Sequence, residues 1–564
     1  EGLSFLTITL ASFGKDFEKC LDLGYVDRRA FAGFSRKRAL PRFMGGSLGL
    51  VFDHATGVLL DSPCEEAISC VRQFTLMWSK MLLPCTSARV EAALQGYVEC
   101  ENELAESGEF DQDDVSSFQR VFRLLFSTAT QTVENDIAEG RILPKHGPGV
   151  TADRLLGNQK FTLSMWTSRL DRVFPSSDFL ITSYRHLERL QAVRLVEPGD
   201  EMPVKVITVP KTLSKPRIIA VEPTCMQYAQ QGIMETLVSA LEARQNLCSH
   251  FIGFGDQVPN QVLAREGSRS GHLATLDLSE ASDRVDNRLV LAMLSDYPNL
   301  LDGVQASRST HAAVDGHGVI PLTKFASMGS ALCFPIEAMV FTTLVFLGIE
   351  RALKTPLTRK VIKTYSGQVR IYGDDIVVPV GYVHEVIDVL ETFKFRVNQS
   401  KSFWTGKFRE SCGADYYDGH DVSIVKVRQV IPSSLHDVDA LVSTASTRNL
   451  LYLKGFWHAA AYLDDVLSKI LRYFPVIEDT SALMGRVSVC FQPEAEDVHT
   501  DYQVPLVKGW KVVSKPPINS IDGYDALQKF FLKRGDEPFA DEKHLERSGR
   551  PKAVNIKLGK AQPY

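Results

Sequence analysis

Several common functional signatures are missing from this 564-residue sequence. Its ten cysteines include no pair with CxxC spacing, which argues against a zinc ribbon and favours reduced thiols. There is no P-loop and no HExxH motif, and residues 253–255 lack the third glycine of a dinucleotide fingerprint. The opening residues lack the basic segment of a signal peptide, so we expect none. The net charge of −5 provides no global basic field, so basic residues must be gathered locally if nucleic acid binds.

Length and composition indicate a large globular protein rather than a fibrous, disordered or membrane protein. A chain of this length predicts roughly three or four domains, or one multi-lobed enzyme. No stretch resembles a low-complexity linker, and no internal repeat is visible. One apolar run, 331–349, has almost the length of a membrane span, but it contains Glu337. We therefore expect a helix buried in a soluble core.

Periodicity predicts helices in the first third of the chain, mixed elements in the middle and helices again after residue 430. The polar, basic residues beyond 535 predict a solvated tail. The clearest hairpin joins the β-rich runs 369–372 and 376–378 through Gly373-Asp374-Asp375. The other expected elements are helices at 65–83, 117–138, 284–295 and 448–466, and strands at 204–209, 217–221 and 273–278.

Two adjacent aspartates at the tip of an apolar hairpin are costly. Like charges in a partly dry setting repel each other and raise each other's pKa. A tight turn that simply exposes Asp374 and Asp375 to water is the plain alternative.

A second acidic segment, Thr275-Leu-Asp277-Leu-Ser-Glu-Ala-Ser-Asp283, favours chemistry over a plain turn. Asp277 ends an apolar strand, so it can meet the hairpin aspartates if the two strands are neighbours. Three converging carboxylates are stable at neutral pH with divalent cations between them, and Mg²⁺ is the natural choice. Two such ions ~3.5–4 Å apart can clamp the attacking and leaving oxygens of a phosphoryl transfer.

These two segments resemble motifs A and C of palm-domain polymerases. Tyr-Gly-Asp-Asp is the form typical of RNA-dependent RNA polymerases, whereas reverse transcriptases usually carry another residue at the glycine. The resemblance implies that Asp277, Asp374 and Asp375 hold the metals, assisted by the backbone carbonyl of Leu278. It also places Asp283 near the incoming ribose, where a carboxylate can accept from the 2′-OH.

The segment from Lys324 to Ser330, Lys-Phe-Ala-Ser-Met-Gly-Ser, leads into the apolar run and resembles motif B. Gly329 would let the backbone approach a nucleotide, and Ser327 would bond near the ribose. The wider polymerase pattern has Thr and Asn where this chain has Cys333 and Glu337. The alternative is a glycine helix cap followed by a buried, paired Glu.

The basic hairpin at 204–223 resembles motif F. Lys211, Lys215 and Arg217 are the candidates for binding a triphosphate, with Arg217 first, because a forked guanidinium matches pairs of phosphate oxygens. The alternative is a solvated basic hairpin.

Two later segments complete the set. Phe-Arg-Val-Asn-Gln-Ser-Lys401 resembles motif D, in which the lysine acts as general acid toward the leaving pyrophosphate. The hairpin Phe408-Arg-Glu-Ser-Cys-Gly resembles the next motif, near the primer strand.

The Asp-Leu-Ser-x-Ala-Ser-Asp form of motif A and the Phe-Arg-Glu-Ser-Cys-Gly string are similar to the replicases of levivirus-type RNA bacteriophages. Lys145-His-Gly-Pro-Gly149 also resembles that family. The resemblance implies an α+β right-hand polymerase fold, with an antiparallel palm sheet and mainly helical fingers and thumb. Its expected parts are an N-terminal region and fingers (1–270), palm (271–298), returning fingers (299–326), palm (327–428), thumb (429–534) and a tail (535–564).

The same resemblance implies an RNA-directed RNA polymerase that copies a viral RNA genome in the cytoplasm of a bacterial host. The expected cofactor is Mg²⁺, two ions, with Mn²⁺ as a substitute. The implied partners are RNA template and product, ribonucleoside triphosphates, host elongation factors Tu and Ts, and a ribosomal RNA-binding protein. No membrane is expected.

Three alternatives stay open at this point. A reverse transcriptase-like palm enzyme is disfavoured by Asp283 and Gly373. A non-catalytic RNA-binding or assembly protein on a palm fold is disfavoured by the presence of all three carboxylates. A narna-like or mitovirus polymerase would perform the same chemistry in another host.

Overall fold

The computed structural model describes residues 2–515, 519–533 and 553–564, and it is a mixed helix and strand structure. The N-terminal part begins with a π-helical turn at Phe5–Thr9 and is mainly helical. Its elements are α1 (Leu10–Leu23), β1 (Arg36–Lys37), β2 (Leu40–Pro41), α2 (Gly45–Leu48), α3 (Glu65–Leu76), α4 (Ser87–Glu106) and α5 (Gln112–Ala138).

Two helices were predicted in this part, and the structure agrees with one prediction better than with the other. Asp111 caps α5 by accepting from the backbone N–H groups of Asp113 and Asp114, so the helix begins before the predicted residue 117. The helix predicted at 65–83 is wrong at its end, because α3 stops at Leu76. The chain beyond α3 approaches Pro84, and the residue before a proline disfavours helix.

The next part contains the basic hairpin, with both strands at the predicted residues. The elements are β3 (Met165–Thr167), α6 (Ser168–Val173), α7 (Ser176–Phe179), β4 (Arg194–Val196), β5 (Val204–Val209), β6 (Arg217–Val221), α8 (Thr224–Glu242) and α9 (Val258–Ser270). Short 3-10 turns lie at Gly157–Phe161, Tyr184–Ala192 and Leu247–His250. Strands β5 and β6 pair antiparallel, and β5 also pairs with β9 (His311–Val314).

The central part carries the predicted acidic segments. Its elements are β7 (Leu273–Leu276), β8 (Leu278–Ser279), α10 (Asn287–Leu294), α11 (Pro298–Ser307), β9, β10 (Gly318–Pro321), α12 (Cys333–Leu353), α13 (Arg359–Lys363), β11 (Arg370–Tyr372), β12 (Asp375–Pro379), α14 (Val383–Thr392), β13 (Arg396–Val397), β14 (Phe408–Ser411), β15 (Ala414–Tyr417) and β16 (His420–Asp421). The turn Ser282–Arg284 is 3-10, so the helix expected from residue 284 begins at Asn287.

An antiparallel three-stranded sheet lies at the centre, in the order β11-β12-β7. Helix α12 packs in the main core beside it, and nearly all its residues up to Ile349 are buried. A helix that is apolar on every side needs such a buried setting. By length and composition alone it could cross a membrane, but 83% of its apolar window lies inside the protein. It is the buried helix expected from the 331–349 run.

The C-terminal part contains α15 (Val438–Leu453), α16 (Trp457–Leu471), β17 (Leu483–Met484), β18 (Asp497–Val498), β19 (Pro505–Lys515), α17 (Gly523–Leu532) and β20 (Ala553–Ala561). The single helix predicted at 448–466 is wrong, because the chain turns at Gly455, which has a φ of +83°. The solvated tail predicted from 535 is wrong for 553–561. There β20 pairs along β19, and Ile556 packs beside Trp510. The rest of the predicted tail lies outside the described residues.

Candidate active site

The strand register brings the two predicted acidic segments together. Ile376 in β12 pairs with Leu276 in β7. Asp375 and Asp277 are the next residues beyond this pair, and the charge of Asp277 acts on both Asp374 and Asp375. The sequence-based expectation that the Asp277 strand is a neighbour of the hairpin is therefore confirmed.

The tip of the hairpin depends on a glycine. Tyr372 pairs with Asp375, so Gly373 and Asp374 form a two-residue loop. Gly373 has a φ of +61°, and a Cβ there would lie 2.2 Å from Cε2 of Phe334. Both the backbone conformation and the neighbouring ring therefore require glycine beside the two aspartates.

Electrostatic repulsion is visible at the hairpin aspartates. Removal from water and the charge of Asp277 raise the pKa of Asp374. Burial and the charge of Asp374 raise the pKa of Asp375 to about 6. The backbone therefore holds negative charges together at a cost, which nearby positive charge would offset.

Asp277 and Asp375 are each held by a different neighbour. Asn398 Nδ2 donates to one oxygen of Asp277 (3.0 Å), and Lys401 Nζ lies 3.2 and 3.3 Å from its two oxygens. The backbone N–H of Cys412 donates to Asp375 Oδ1 (3.2 Å). With the side chains in these directions, no group of three or more His, Cys, Asp or Glu among the described residues is placed to hold a metal ion.

The backbone after the Asp277 strand is held by β13. The backbone N–H of Asn398 donates to the carbonyl of Asp277 (2.8 Å), and Leu278 pairs with Val397. The ligand role of the Leu278 carbonyl stays a prediction.

Lys401 lies in the site on the carboxylate of Asp277. Burial alone would lower the pKa of Lys401, but the negative charges of Asp277 and Glu410 outweigh it and raise the pKa. The lysine is therefore a charged ammonium group at the place where motif D was expected to supply a proton donor.

The basic hairpin approaches the same place through Lys211. Burial lowers the pKa of Lys211, and the positive charges of Arg217 and Lys401 lower it further, while Asp374 and Asp277 act in the opposite direction. Thr212 fixes the turn by accepting from the backbone N–H of Lys215 (3.1 Å). The side chains of Lys211, Lys215 and Arg217 all reach solvent. Lys211 also lies within the field of the carboxylates Asp374 and Asp277.

Sequence reasoning missed a further lysine, Lys80, in the segment after α3. The backbone N–H of Leu82 donates to the carbonyl of Arg428 (2.8 Å), and Arg89 Nη1 donates to the carbonyl of Leu213 (2.9 Å). Burial and the positive charges of Lys211, Lys426 and Lys401 lower the pKa of Lys80 to about 8. No local pattern marks this cluster, because its members are scattered from residue 80 to residue 426.

The predicted ribose contacts, Asp283 and Ser327, both lie near helix α4. No function was predicted for this helix from the sequence. Lys324 Nζ lies 3.1 Å from Asp283 Oδ1, and Tyr97 Oη lies 2.9 Å from Ser327 Oγ. Lys324 was visible in the sequence as the first residue of motif B, but its partner could not be identified there. Tyr97 gave no signal at all.

Gly329 has a clear structural reason. Its φ is +136°, and a Cβ there would lie 1.9 Å from the backbone oxygen of Ala220 in β6. The N–H of Ala220 also donates to the carbonyl of Met328 (2.9 Å). The glycine therefore allows the segment before α12 to lie against the basic hairpin, and its contact with a nucleotide stays a prediction.

Cys333 and Glu337 follow on the first turns of α12. Both are buried, with Cys333 Sγ 3.9 Å from Glu337 Oε2. Burial and the charges of Asp374 and Asp283 raise the pKa of Glu337 well above its ordinary value. The glutamate lies inside the site's electric field rather than on a distant core face.

The comparisons with known proteins agree with this geometry. Residues 198–474 match the family model described as "RNA replicase, beta-chain". The RNA-directed RNA polymerase beta chain of Enterobacteria phage fr is 36% identical over 226 residues, which cover 40% of this chain and 38% of that protein. The RNA-directed RNA polymerase subunit beta of Qbeta virus (strain MX1) is 32% identical over 312 residues, covering 54% of this chain and 49% of that protein.

The match with these relatives is partial, since the chain spans half of their length or less. A solved "RdRp complex" covers 64% of this chain and 34% of its own, with 12% identity and a TM-score of 0.37, which is too weak to support a fold assignment. The match to the RNA replicase, beta-chain family thus spans residues 198–474, which contain the carboxylates, the basic hairpin and Lys401.

Proposed function

We propose that this protein is an RNA-directed RNA polymerase that copies a viral RNA genome by nucleotidyl transfer. The observation that carries the proposal is the pairing of β12 with β7, which brings the ends of the two acidic segments together within the family match. In the reaction, an RNA 3′-OH attacks the α-phosphate of a base-paired ribonucleoside triphosphate, and pyrophosphate leaves.

The donor set fits Mg²⁺. Asp277, Asp374 and Asp375 provide carboxylate oxygens and Leu278 provides a carbonyl, the oxygen ligands that hard divalent cations prefer. The raised pKa values of Asp374 and Asp375 reflect a repulsion that such a cation offsets. When bound, two Mg²⁺ ions (or Mn²⁺ as a substitute) would neutralise charge on the attacking and leaving oxygens. Asp277 would then exchange its contact with Lys401 for the metal.

The chain's own basic residues bind and orient the triphosphate. Lys211, Arg217 and Lys215 provide positive charge along the basic hairpin, with Arg217 able to bind two phosphate oxygens at once. Lys401 keeps a proton at Nζ and delivers it to the pyrophosphate oxygen as the bond breaks.

The sugar is recognised on the other side of the site. Asp283 accepts from the 2′-OH, Ser327 bonds beside it, and Gly329 keeps this segment close to the basic hairpin. A ribonucleotide gains these hydrogen bonds and a deoxynucleotide does not, which separates RNA synthesis from DNA synthesis.

The proposed architecture is a right-hand polymerase. The three-stranded sheet and α12 belong to the palm (271–298 and 327–428). The N-terminal region and the basic hairpin (1–270, with 299–326) form the fingers, and the part after 429 forms the thumb. We further propose that the protein acts in the cytoplasm of a bacterial host with elongation factors Tu and Ts and a ribosomal RNA-binding protein.

The test is extension of RNA on an RNA template by the purified chain, with Mg²⁺ present or chelated and with host factors added or omitted. Asp374→Asn should reduce the rate roughly 10³-fold, the scale expected when a charge-stabilising group is removed from an active site. Asp439→Asn is the matched control, because Asp439 is an exposed aspartate on α15.

Two results would contradict the proposal. A preference for deoxyribonucleotides would indicate a reverse transcriptase. RNA binding with no synthesis under any condition, unaffected by Asp374→Asn, would indicate a non-catalytic RNA-binding protein.

A further inference from the structure

A lysine with no exposed surface lies between helix α4 and the predicted ribose site. Lys324 is 0% exposed, and its Nζ lies 3.1 Å from Asp283 Oδ1 and 3.4 Å from Glu101 Oε2. The same nitrogen lies over the ring of Tyr97, 3.6 Å from its centroid. A buried ammonium group is costly unless it is paired, and here two carboxylates and an aromatic face surround it.

The two carboxylates differ in their access to solvent. The side chain of Glu101 is 4% exposed, and its Oε2 has no hydrogen-bond donor apart from the nearby ammonium group of Lys324. Its Oε1 accepts from the backbone N–H groups of Thr323 and Lys324. The side chain of Asp283 is 24% exposed. Glu101 therefore anchors the lysine, and Asp283 is the end of the network that opens toward solvent.

The backbone around Asp283 is attached to the same helix. Cys100 Sγ lies 3.6 Å from the carbonyl of Asp283, and Arg284 pairs with Glu103 (2.8 Å). At the other end of the network, the hydroxyl groups of Tyr97 and Ser327 are hydrogen-bonded. One face of α4 thus holds both predicted ribose contacts.

Charge explains why the lysine matters for Asp283. Burial alone would lower the pKa of Lys324, but its interactions with Asp283, Tyr97 and Glu101 outweigh burial and raise the pKa. The lysine therefore stays protonated beside Asp283. Because the lysine holds Oδ1 of Asp283, the other carboxylate oxygen can accept a hydrogen bond from a ligand.

We propose that Lys324, held by Glu101 and Tyr97, is a positioning residue that fixes Asp283 for selection of ribonucleotides over 2′-deoxyribonucleotides. This inference rests on the proposed function, in which Asp283 accepts from the ribose 2′-OH. Loss of the lysine leaves the carboxylate of Asp283 free to rotate. The consequence falls on substrates that carry a 2′-OH, because only they use the acceptor.

The experiment compares a ribonucleoside triphosphate with its 2′-deoxy analogue, both in equilibrium binding and in kcat/KM on one RNA template. Lys324→Met keeps the length of the side chain and removes its charge. We expect it to reduce the ribose preference roughly 10- to 100-fold, since a hydrogen bond to a charged group is lost. Asp283→Asn should reduce the preference similarly, and the double variant should reduce it no further.

Glu101→Gln is the matched control, because it removes the other partner of Lys324 and leaves the contact with Asp283. We expect it to keep most of the ribose preference, although it lowers stability. Lys324→Gln is the second arm if Lys324→Met fails to fold, since it removes the charge and keeps a hydrogen-bond donor in the buried setting. We expect it to reduce the preference by about 3-fold or more, because a neutral hydrogen bond is weaker than a charged one.

A purely structural role for Lys324 would weaken both substrates equally and leave their ratio unchanged, which would overturn the inference. So would an unchanged ratio in Lys324→Gln when Lys324→Met cannot be purified. Equilibrium binding of the nucleotides separates the role of Lys324 from the proposed polymerase function. A chain that binds the ribonucleotide preferentially but makes no RNA contradicts the proposed function, while the binding ratio of the variants still decides the role of Lys324.

Discussion

The site region (residues 204–428) buries charged side chains, whereas the C-terminal region (residues 430–564) leaves large aromatic side chains in solvent. Lys324 and Arg409 are 0% exposed in the first region. In the second, Trp457 is 67%, Phe491 71% and Tyr502 76% exposed. The first region therefore places charged groups away from water, and the second places apolar rings in contact with water.

Buried charges restrict the site region more tightly, because each one needs partners at fixed positions. Arg409 donates to the carbonyls of Leu273, Gly406 and Phe408, so its charge holds the start of β7 against β14. A buried charge contributes little net stability, but removal of its partners is costly, so it specifies geometry. The family match covers the site region and ends at residue 474, and the described cores of the C-terminal region are small.

The largest loss of stability should follow the replacement of Gly329 in the site region, and Gly455 in the C-terminal region provides the comparison. Gly329→Ala should lower the free energy of unfolding by about 3–5 kcal/mol, because φ is +136° and the new Cβ meets the oxygen of Ala220. Gly455→Ala should cost about 1 kcal/mol, because its φ of +83° is also unfavourable but nothing lies within 4 Å. Urea unfolding followed by tryptophan fluorescence measures both, and equal shifts would show that the two turns are equally tolerant.

The next largest effect should be on the rate of RNA synthesis, when a lysine in each region is replaced. Lys401→Met should slow single-turnover RNA synthesis about 10²-fold, the usual contribution of a general acid. Lys469→Met is the control, because Lys469 is 72% exposed and pairs with Asp465 on its own helix. If both variants kept the wild-type rate, Lys401 would be a structural partner of Asp277 alone.

A pH-dependent effect distinguishes buried from exposed glutamates. Burial raises the pKa of Glu222 to about 7, so the folded protein favours the neutral acid. Its unfavourable contribution therefore grows as pH rises from the unfolded pKa, about 4.3, toward 7. Glu222→Gln should therefore gain roughly 2 kcal/mol more stability at pH 8 than at pH 5. Thermal midpoints at both pH values test this, with the exposed Glu494→Gln expected to show no such trend.

The smallest effect should be that of Trp457→Ala. Because Trp457 is 67% exposed, the change should alter the free energy of unfolding by less than about 0.5 kcal/mol. A loss of 2 kcal/mol or more in the purified chain would mean that another part of the protein covers this side chain, and the contrast between the two regions would fail.

Local patterns predicted the elements that depend on neighbours in sequence. β5 and β6 lie at the predicted residues, and the hairpin around Gly373 forms as expected. The errors fall where distant contacts decide. The strand β20 needs β19 as a partner, so its alternating pattern looked like a polar tail.

The sequence by itself determined the acidic hairpin, the strand that ends at Asp277, the buried helix α12 and the family resemblance of the site region, because these depend on local periodicity and short motifs. Only the tertiary structure decided which charged groups lie together: Lys401 on Asp277, Lys324 between Asp283 and Glu101, and the two cations Lys80 and Lys211 near each other. The physical reason is that electrostatic interactions act through space, and these partners are separated by up to a few hundred residues along the chain.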